Sequence, residues 1–295
     1  MTLHFFVSGS EDGLLLKEFL RRRGLSAGLM SAVKRDQGFS QGGRPIRANE
    51  RVKAGEDVSV PLPPEPKTSV APQRMPLQIV YEDEHALVLE KPAGVAVHPT
   101  MGIADGTLAN AFCGLMEQRN TPMPFRPVNR LDKGTSGLML CAMNAYAAPL
   151  LAQSVKKVYY AAVVGIPRPS CGCWDSPIGL YPGSIIQRCC TPDGKPSRTH
   201  YRVLEAEKDG RAALLECRLE TGRTHQIRVH ASGAGHPLLG DELYGGPAIP
   251  ARRPALHCGE LRFEIPGTRR EVCVRSPWPF AWQQLLEPPR SQENG

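Results

Sequence analysis

The sequence predicts an α+β protein in which a large, mainly antiparallel sheet follows a small basic domain. Three observations support this fold class. Short apolar runs typical of strands recur from residue 77 to about residue 282, with only two helical stretches among them. Residues 61–76 hold six prolines, which predicts a semi-rigid extended linker before those runs. Residues 12–60 carry two short amphipathic helices. The length of 295 residues suits about two domains.

The first element is a short helix with its apolar side at Leu14–Leu16, Phe19 and Leu20. It ends in the basic run Arg21–Arg23, followed by Gly24. Cations in the last turn interact favourably with the helix dipole, and glycine commonly follows a helix C-terminus. The spacing therefore predicts a helix that stops before Gly24.

Ser26 is the predicted N-cap of the second helix, because serine accepts a hydrogen bond from the first turn. Leu25, Leu29 and Val33 recur every four residues and give that helix one apolar stripe. A turn at Gly42-Gly43 and a short strand at Val58–Val60 complete the small domain.

Positive charge is concentrated in this domain. Between Lys17 and Lys53 there are ten lysines and arginines and three acids, a surplus equal to the +7 formal charge of the whole chain. A polyanion such as nucleic acid is the expected partner, and a merely solvated basic face is the alternative. The candidate RNA-binding residues here are Arg21, Arg22, Arg23, Lys34 and Arg35.

The large sheet is predicted from apolar and alternating runs. The clearest are Leu77–Tyr81, Ala86–Glu90, Leu138–Ala142, Tyr159–Val164, His200–Glu205 and Leu214–Leu219. One helix is expected after Thr107, with Leu108, Phe112 and Leu115 on one face, and another after Thr224 with that threonine as its N-cap. The polar end of the chain, residues 285–295, is expected to be a disordered tail.

Composition narrows the protein class. Nine cysteines, an odd number, in a long chain without a secretory signal argue against a disulfide framework. No apolar stretch approaches the roughly 20 residues that span a bilayer. We therefore expect a reduced cytoplasmic protein that does not bind a membrane. The Cys171/Cys173 and Cys189/Cys190 pairs lack the Cys-x₂-Cys spacing of a zinc ribbon, so no metal site is expected.

One carboxylate has the setting of a reactive group. Asp132 lies in the Gly-, Thr- and Ser-rich segment Arg130–Gly137, directly before the apolar run Leu138–Ala142. An aspartate in such a loop, taken alone, is more often a turn or cap residue. A loop that presents an acid at the edge of a buried strand is also a rigid mount for catalysis.

Four ordered segments resemble the RluA-type RNA pseudouridine synthases: Glu90–Pro99, Arg130–Gly137, Lys157–Gly165 and Thr221–Tyr244. The resemblance covers nearly all of residues 77–282. It implies a pseudouridine synthase-type catalytic domain over residues 77–284, on a large mainly antiparallel mixed sheet. Residues 1–62 resemble a small αL/S4-like RNA-binding domain that closes with Gly55–Val58, and residues 63–76 form the Pro-rich linker between the two.

The resemblance implies an isomerase that needs no cofactor and has Asp132 as its essential carboxylate. Asp132 acts either as a nucleophile or as a base on a ribose proton, and the sequence leaves both open. Either role needs an ionised carboxylate, which a nearby cation favours, and the family's arginine partner matches Arg228. Tyr159 matches the family tyrosine, whose ring can stack on a base turned out of its helix. If the segment is a strand, Tyr160 points to the opposite face.

The resemblance also assigns secondary roles. Arg130 and Arg223 are candidates for contact with the RNA backbone, or for bracing their loops. Asn129 stands where many relatives carry histidine, so the position is expected to orient the loop without titrating. The expected substrate is large-subunit ribosomal RNA, favoured over tRNA, and the expected oligomeric state is a monomer.

Two other functions remain open from the sequence. One is a non-catalytic RNA-binding or ribosome-associated factor, which the intact Asp132, Tyr159 and Arg228 set disfavours. The other is a hydrolase of nucleosides or glycosides. Such enzymes generally use two carboxylates, and Asp241 and Glu242 are the candidates for a second one. The histidines at 225, 230, 236 and 257 are expected to be structural or to face RNA.

Overall fold

The structure is a computed structural model and describes residues 1–268 and 270–279. Its N-terminal unit is a four-stranded antiparallel sheet of order β1-β4-β2-β3, packed against two helices. The elements are β1 Thr2–Phe6, α1 Leu16–Arg22, α2 Ala27–Asp36, β2 Phe39–Gln41, β3 Arg44–Ile46 and β4 Asp57–Pro61.

The two helices and β4 formed as predicted, whereas β1 and the three-residue strands β2 and β3 were not predicted. The Ser26 hydroxyl accepts a hydrogen bond from the Leu29 N–H at the start of α2, and Gly24 follows α1 with φ +87°. The prediction started the helical unit at residue 12 and missed β1. Only Leu3 and Phe5 of that strand are buried, and two inward residues are too few to establish a two-residue period.

The rest of the described chain builds a nine-stranded sheet of order β5-β6-β7-β14-β8-β13-β12-β9, with β15 paired to β14. Every strand pair is antiparallel except β7 with β14, so the sheet is mixed and mainly antiparallel, as predicted. Its strands are β5 Gln78–Glu82, β6 Ala86–Lys91, β7 Ser136–Ala142, β8 Lys156–Val164, β9 Cys171–Asp175, β12 Arg198–Ala206, β13 Ala212–Leu219, β14 Leu256–Glu264 and β15 Glu271–Arg275; a separate hairpin pairs β10 Ile178–Leu180 with β11 Arg188–Cys190.

The six predicted strands are all present, with bounds shifted by three residues or fewer. The strands that were not predicted are short or lie at the sheet edge, except β14. That strand contains Gly259 and several polar residues, which hide its apolar pattern. All seven residues of β7 are buried, as expected for a strand covered on both faces.

Three helices accompany the sheet, one more than predicted: α3 Leu108–Gln118, α4 Ala147–Ser154 and α5 Gln226–Gly233. The missed helix is α4, which has only eight residues and no side-chain cap. Helix α3 begins directly after Thr107, as predicted, and the Thr107 hydroxyl caps it by accepting a hydrogen bond from the Asn110 N–H. The prediction of Thr224 as the cap of α5 was wrong by one residue. His225 precedes the helix in a left-handed conformation, φ +58°, which prevents the helix from starting earlier.

Residues 63–76 contain no helix or strand and run along α3. The Gln73 N–H donates to the Asn110 carbonyl at 3.0 Å, and the Asn110 amide donates to the Ala71 carbonyl at 2.8 Å. Glu65 forms an ion pair with Arg126. The segment is therefore fastened to the large sheet domain by backbone and side-chain bonds.

Tyr146 joins the N-terminal unit to the large sheet. Its side chain is buried, its hydroxyl donates to the Arg23 carbonyl at 2.9 Å, and its ring packs edge-on against Phe5. Tyr146 lies just after the C-terminal end of β7. The N-terminal unit therefore docks at the opposite end of that strand from Asp132, which precedes it.

No helix in residues 1–268 and 270–279 combines the length and the apolar character that crossing a bilayer requires. The tail expected over residues 285–295 and the last residues of the predicted catalytic domain, 280–284, lie outside the described residues.

Candidate active site

The loop that carries Asp132 is fixed to the strand that follows it. Asn129 is buried; its amide nitrogen donates to the Leu138 carbonyl at 3.1 Å, and its amide oxygen accepts from the Leu140 N–H at 2.7 Å. Both hydrogen bonds go to the β7 backbone, so a side chain with one donor and one acceptor is enough to fix the loop at this position. This supports the expectation that Asn129 orients the loop without titrating.

Lys91 holds the other side of the same loop. Its ammonium group is fully buried and donates to the carbonyls of Pro92 and Val95 at 2.8 Å and to that of Lys133 at 3.3 Å. Burial lowers the pKa of Lys91 to about 8, although Asp132 nearby acts in the opposite direction. The sequence analysis did not assign Lys91 a role. Two signals were available: Lys91 follows the apolar residues Ala86–Leu89 closely, where a buried charge is unexpected, and it lies in the family-like segment Glu90–Pro99.

Arg228 reaches Asp132 from α5, as predicted, but its main partner is Asp241. The guanidinium forks onto Asp241 with Nε–Oδ2 at 2.6 Å and Nη2–Oδ1 at 2.8 Å. Its remaining nitrogen, Nη1, points to Asp132 Oδ2 at 3.4 Å. Burial opposes the charge of Arg228, but the bonds to Asp241 and the proximity of Asp132 raise its pKa overall. Arg228 therefore stays charged while buried.

The position of Asp241 removes it as the second acid of a hydrolase. Its side chain is only 1% exposed, and both of its carboxylate oxygens are bonded to Arg228. A buried carboxylate with both oxygens bonded to an arginine is not accessible to a substrate. Its role is to fix the guanidinium, because a bidentate pair sets both distance and plane.

His225 is a third group at the carboxylate. Its Nε2 lies 3.8 Å from Asp132 Oδ2, and its Nδ1 lies 2.8 Å from the Tyr244 hydroxyl. That hydroxyl accepts from the Arg188 N–H at 3.0 Å, so its own proton is best donated to Nδ1. The histidine proton is then on Nε2, facing Asp132. Burial lowers the pKa of His225, which favours this neutral form.

Tyr159 completes the site from the middle of β8. It is buried and shares a small cavity of about 50 Å³ with Asp132 and His225. Burial, followed by Cys258 and Asp132, raises the pKa of Tyr159 well above its usual value. It is therefore a neutral phenol near neutral pH. Tyr160 is half-buried and lies against Gly259 on the other face of the sheet, as the alternation predicts.

The cavity opens into a wider groove of about 670 Å³ that also contains Asp132 and Tyr159. Arg130 and Arg223 are exposed and line both spaces. The structure therefore brings these two candidate RNA-binding residues to the same opening as Asp132 and Tyr159. Arg228 does not line this opening and reaches it only through its contact with Asp132.

The N-terminal cations lie elsewhere. Arg21–Arg23 line a separate groove of about 890 Å³ between α1 and residues 264–267. Arg23 is bonded there to Glu11 at 2.7 Å, and the guanidinium lies over the Phe19 ring. Lys34 and Arg35 are exposed on α2. The basic region at Arg21–Arg23 and the one at Arg130 and Arg223 are thus separated by about the length of the central strands.

His230 and His236 are held by structural contacts, as expected. His230 lies between Thr199 Oγ1 at 2.8 Å and the Ser176 carbonyl at 2.9 Å, and His236 contacts the Val164 carbonyl at 2.9 Å. Across the described ranges, no group of three or more histidine, cysteine or acidic side chains is placed to hold a metal ion.

Residues 85–233 match the family model described as RNA pseudouridylate synthase. Among similar sequences, "Ribosomal large subunit pseudouridine synthase D" of Xanthomonas campestris pv. campestris is 40% identical over 265 residues, covering 83% of this chain and 78% of that protein. "Uncharacterized RNA pseudouridine synthase YjbO" of Bacillus subtilis is 36% identical over 281 residues, covering 93% and 99%. The solved structure of human RNA Pseudouridylate Synthase Domain Containing 1 aligns with a TM-score of 0.56 at 30% identity, covering 74% of this chain and 87% of that one.

Proposed function

The chain belongs to the RNA pseudouridylate synthase family and is an RNA pseudouridine synthase, and we propose that Asp132 is its essential catalytic carboxylate. The observation that carries the proposal is that Asp132 and Tyr159 line one cavity, while Arg228 contacts the Asp132 carboxylate at 3.4 Å. These residues come from three distant parts of the chain. Asn129 and Lys91 fix the backbone of the Asp132 loop, and Asp241 fixes the Arg228 guanidinium. A catalytic group needs such preorganisation.

The reaction is an isomerisation with balanced bonds. The bond from uracil N1 to ribose C1′ breaks, the base turns, and C5 bonds to C1′ in its place; C5 then loses a proton and N1 gains one. Asp132 either attacks the sugar carbon or removes a ribose proton, and both roles need the carboxylate at the opening of the cavity. Its side chain is 28% exposed, enough for a nucleotide to reach it.

Arg228 and Tyr159 take complementary roles. The guanidinium is held by Asp241 and stabilises the negative charge on Asp132. Because Arg228 is buried, water weakens this electrostatic contact less than it would at an exposed site. The Tyr159 ring provides a flat apolar wall for a base turned out of its helix. Because its pKa is raised, the phenol acts as a hydrogen-bond donor, and it can accept the C5 proton only if its own proton passes to a neighbour such as Asp132.

The proposed substrate is large-subunit ribosomal RNA, as the names of several relatives state for those proteins. The proposed RNA-binding residues share exposed or groove-lining positions: Arg21, Arg22, Arg23, Lys34, Arg35, Arg130 and Arg223. The N-terminal unit is proposed to be S4-like, supported by its two helices and basic surface. We propose a cytoplasmic monomer, which the nine free cysteines support for the compartment.

Replacement Asp132→Asn tests the catalytic assignment. We expect pseudouridine formation in an unmodified large-subunit ribosomal RNA transcript to be lost while binding of that transcript is retained. The readouts are pseudouridine-specific mapping of the RNA and nucleoside mass spectrometry. Asp209→Asn, the same chemical change in an exposed turn, is the matched control and should keep full activity.

Retained turnover in Asp132→Asn would contradict the assignment. Release of free uracil by the wild-type protein would indicate hydrolysis in place of isomerisation, because isomerisation leaves the mass of the RNA unchanged.

A further inference from the structure

A second pocket adjoins the Asp132 site on the side of the β10–β11 hairpin. It has a volume of about 420 Å³ and is lined by residues of that hairpin, of the turn at 193–195 and of the loop at 222–224. Arg130 and Arg223 belong to its wall as well as to that of the catalytic cavity. Arg188 and Lys195 complete its charged lining. We call these four residues and the space between them the basic pocket.

The charges of the basic pocket are unbalanced. It contains four cations and one acid, Asp193. Over the described ranges, none of the four cations forms an ion pair, and the guanidinium of Arg223 is bonded only to the Pro196 carbonyl. Exposed arginines on the adjoining sheet behave differently: Arg202 pairs with Glu216 at 3.1 Å and Arg198 with Asp175 at 2.6 Å. Within the described part of the chain, the basic pocket thus differs from the adjoining sheet in gathering four cations without acidic partners around one space.

Arg188 carries the clearest sign of a missing partner. Its Nε is buried and has no hydrogen-bond partner in the structure. A buried donor without an acceptor is unfavourable, and such groups call for an explanation in a native protein. An anion in the pocket would supply the acceptor, and the planar guanidinium suits the oxygens of a phosphate.

Arg188 and Lys195 stand on rigid backbone. The Arg188 N–H donates to the Tyr244 hydroxyl at 3.0 Å. Residue 195 exchanges two backbone hydrogen bonds of 2.9 Å with Ile178 of β10. Gly194 permits this approach, since a Cβ there would lie 2.5 Å from the Ile178 backbone. Cationic side chains on a fixed backbone lose less conformational entropy when they bind a ligand.

We propose that the basic pocket binds a backbone phosphate of the RNA strand beside the target uridine. This rests on the proposed function, because RNA is the polyanion that reaches the shared wall. Arg130 and Arg223 face both spaces, so a phosphate held between Arg188 and Lys195 belongs to a nucleotide close to the one whose base enters at Asp132. Phosphate contacts carry no sequence information; they fix the register of the strand.

Two single variants test the proposal in the full-length protein: Lys195→Gln, at an exposed position, and Arg188→Met, which keeps the bulk of the side chain. The probe is the unmodified large-subunit ribosomal RNA transcript, with dissociation constants measured over a series of KCl concentrations. We expect each variant to bind about tenfold more weakly near 0.1 M salt. The slope of log affinity against log salt should fall by about one in each.

Arg202→Gln removes the same charge from an ion-paired arginine and is the control, with affinity and slope expected to match the wild type. Wild-type affinity and slope in Lys195→Gln would overturn the proposal, even if Arg188→Met failed to fold. An absence of pseudouridine in the wild-type reaction would contradict the proposed function. It would not bear on the basic pocket, which is tested only by the affinity of each variant for RNA and its salt dependence.

Discussion

Asp132 is held in position by buried polar side chains. Asn129 and Lys91 fix the backbone on either side of it, and Arg228 fixes the carboxylate itself. Each of these is a polar group whose burial is unfavourable unless its bonds are made. The bonds are made in all three cases, so the loop has one favoured arrangement. A reactive acid held in this way needs little reorganisation when a nucleotide binds.

His257 should make stability depend on pH at the residue scale. It is buried between the Ser136 and Ser276 hydroxyls at 2.9 and 3.0 Å, and burial, assisted by Arg253, lowers its pKa from 6.5 to about 4. Between those values the unfolded chain binds a proton that the folded chain excludes. The free energy of unfolding should therefore fall as pH drops from 6.5 to 4, by up to about 3 kcal/mol.

Urea denaturation at several pH values measures this effect. His257→Asn should be less stable at pH 7 but should lose this part of the pH dependence, because asparagine does not titrate. Equal pH slopes in the variant and the wild type between pH 6.5 and 4 would show that His257 is not responsible.

At the scale of elements, β7 is the strand on which the site depends. It pairs antiparallel with β6 and parallel with β14, and its N-terminal end begins four residues after Asp132. Gly137 is where β14 approaches most closely. Its φ is +113°, and a Cβ there would lie 2.3 Å from the Cys258 carbonyl oxygen. Only glycine allows that backbone conformation and that approach together.

Gly137→Ala should therefore destabilise the protein by about 3 kcal/mol or more, from backbone strain and from separation of β7 and β14. Urea denaturation measures the loss. Gly28→Ala is the control, since nothing lies within 4 Å of a Cβ there; in helix α2 it should be neutral or stabilising by up to about 1 kcal/mol. A Gly137→Ala variant as stable as Gly28→Ala would contradict the account of the β7–β14 contact.

At the scale of the whole molecule, the N-terminal unit and the catalytic cavity lie at opposite ends of β7. Seven residues of strand separate them by about 20 Å at a rise of roughly 3.3 Å per residue. Tyr146 holds the unit in place through the Arg23 carbonyl. An RNA that contacts both regions must be long enough to cover that distance, which favours a structured RNA over a short oligonucleotide.

The double variant Arg21→Gln/Arg22→Gln should therefore weaken binding of a long ribosomal RNA transcript, with a loss of about one unit of salt slope for each phosphate contact removed. Binding of a short uridine-containing oligonucleotide should not change. Arg211→Gln, an ion-paired arginine of an exposed turn, is the control. Equal loss of affinity for the long and the short RNA would contradict the separation of the two regions.

Much of the fold followed from local patterns. The six predicted strands, the caps at Ser26 and Thr107 and the stop of α1 before Gly24 all depend on residues a few positions apart. Strands β1 and β14 were missed because short or polar-rich strands lose the two-residue period. The predicted start of α5 was wrong by one residue because His225 adopts a left-handed backbone conformation. That conformation is unfavourable for histidine, and only the contacts of the folded site explain it.

The sequence by itself determined most of the helices and strands, and the resemblance of its motifs to the family singled out Asp132, Tyr159 and Arg228. Only the tertiary structure decided how these residues are held. Asp241 and Lys91 lie in segments that resemble the family, but no residue near them in sequence indicated the groups they bond to. The unpartnered Arg188 resembled any other surface cation. The physical reason is that capping and periodicity act over one or two turns of chain. The Arg228–Asp132 contact and the β7–β14 pair instead join residues about 100 positions apart, and such contacts exist only once the sheet has formed.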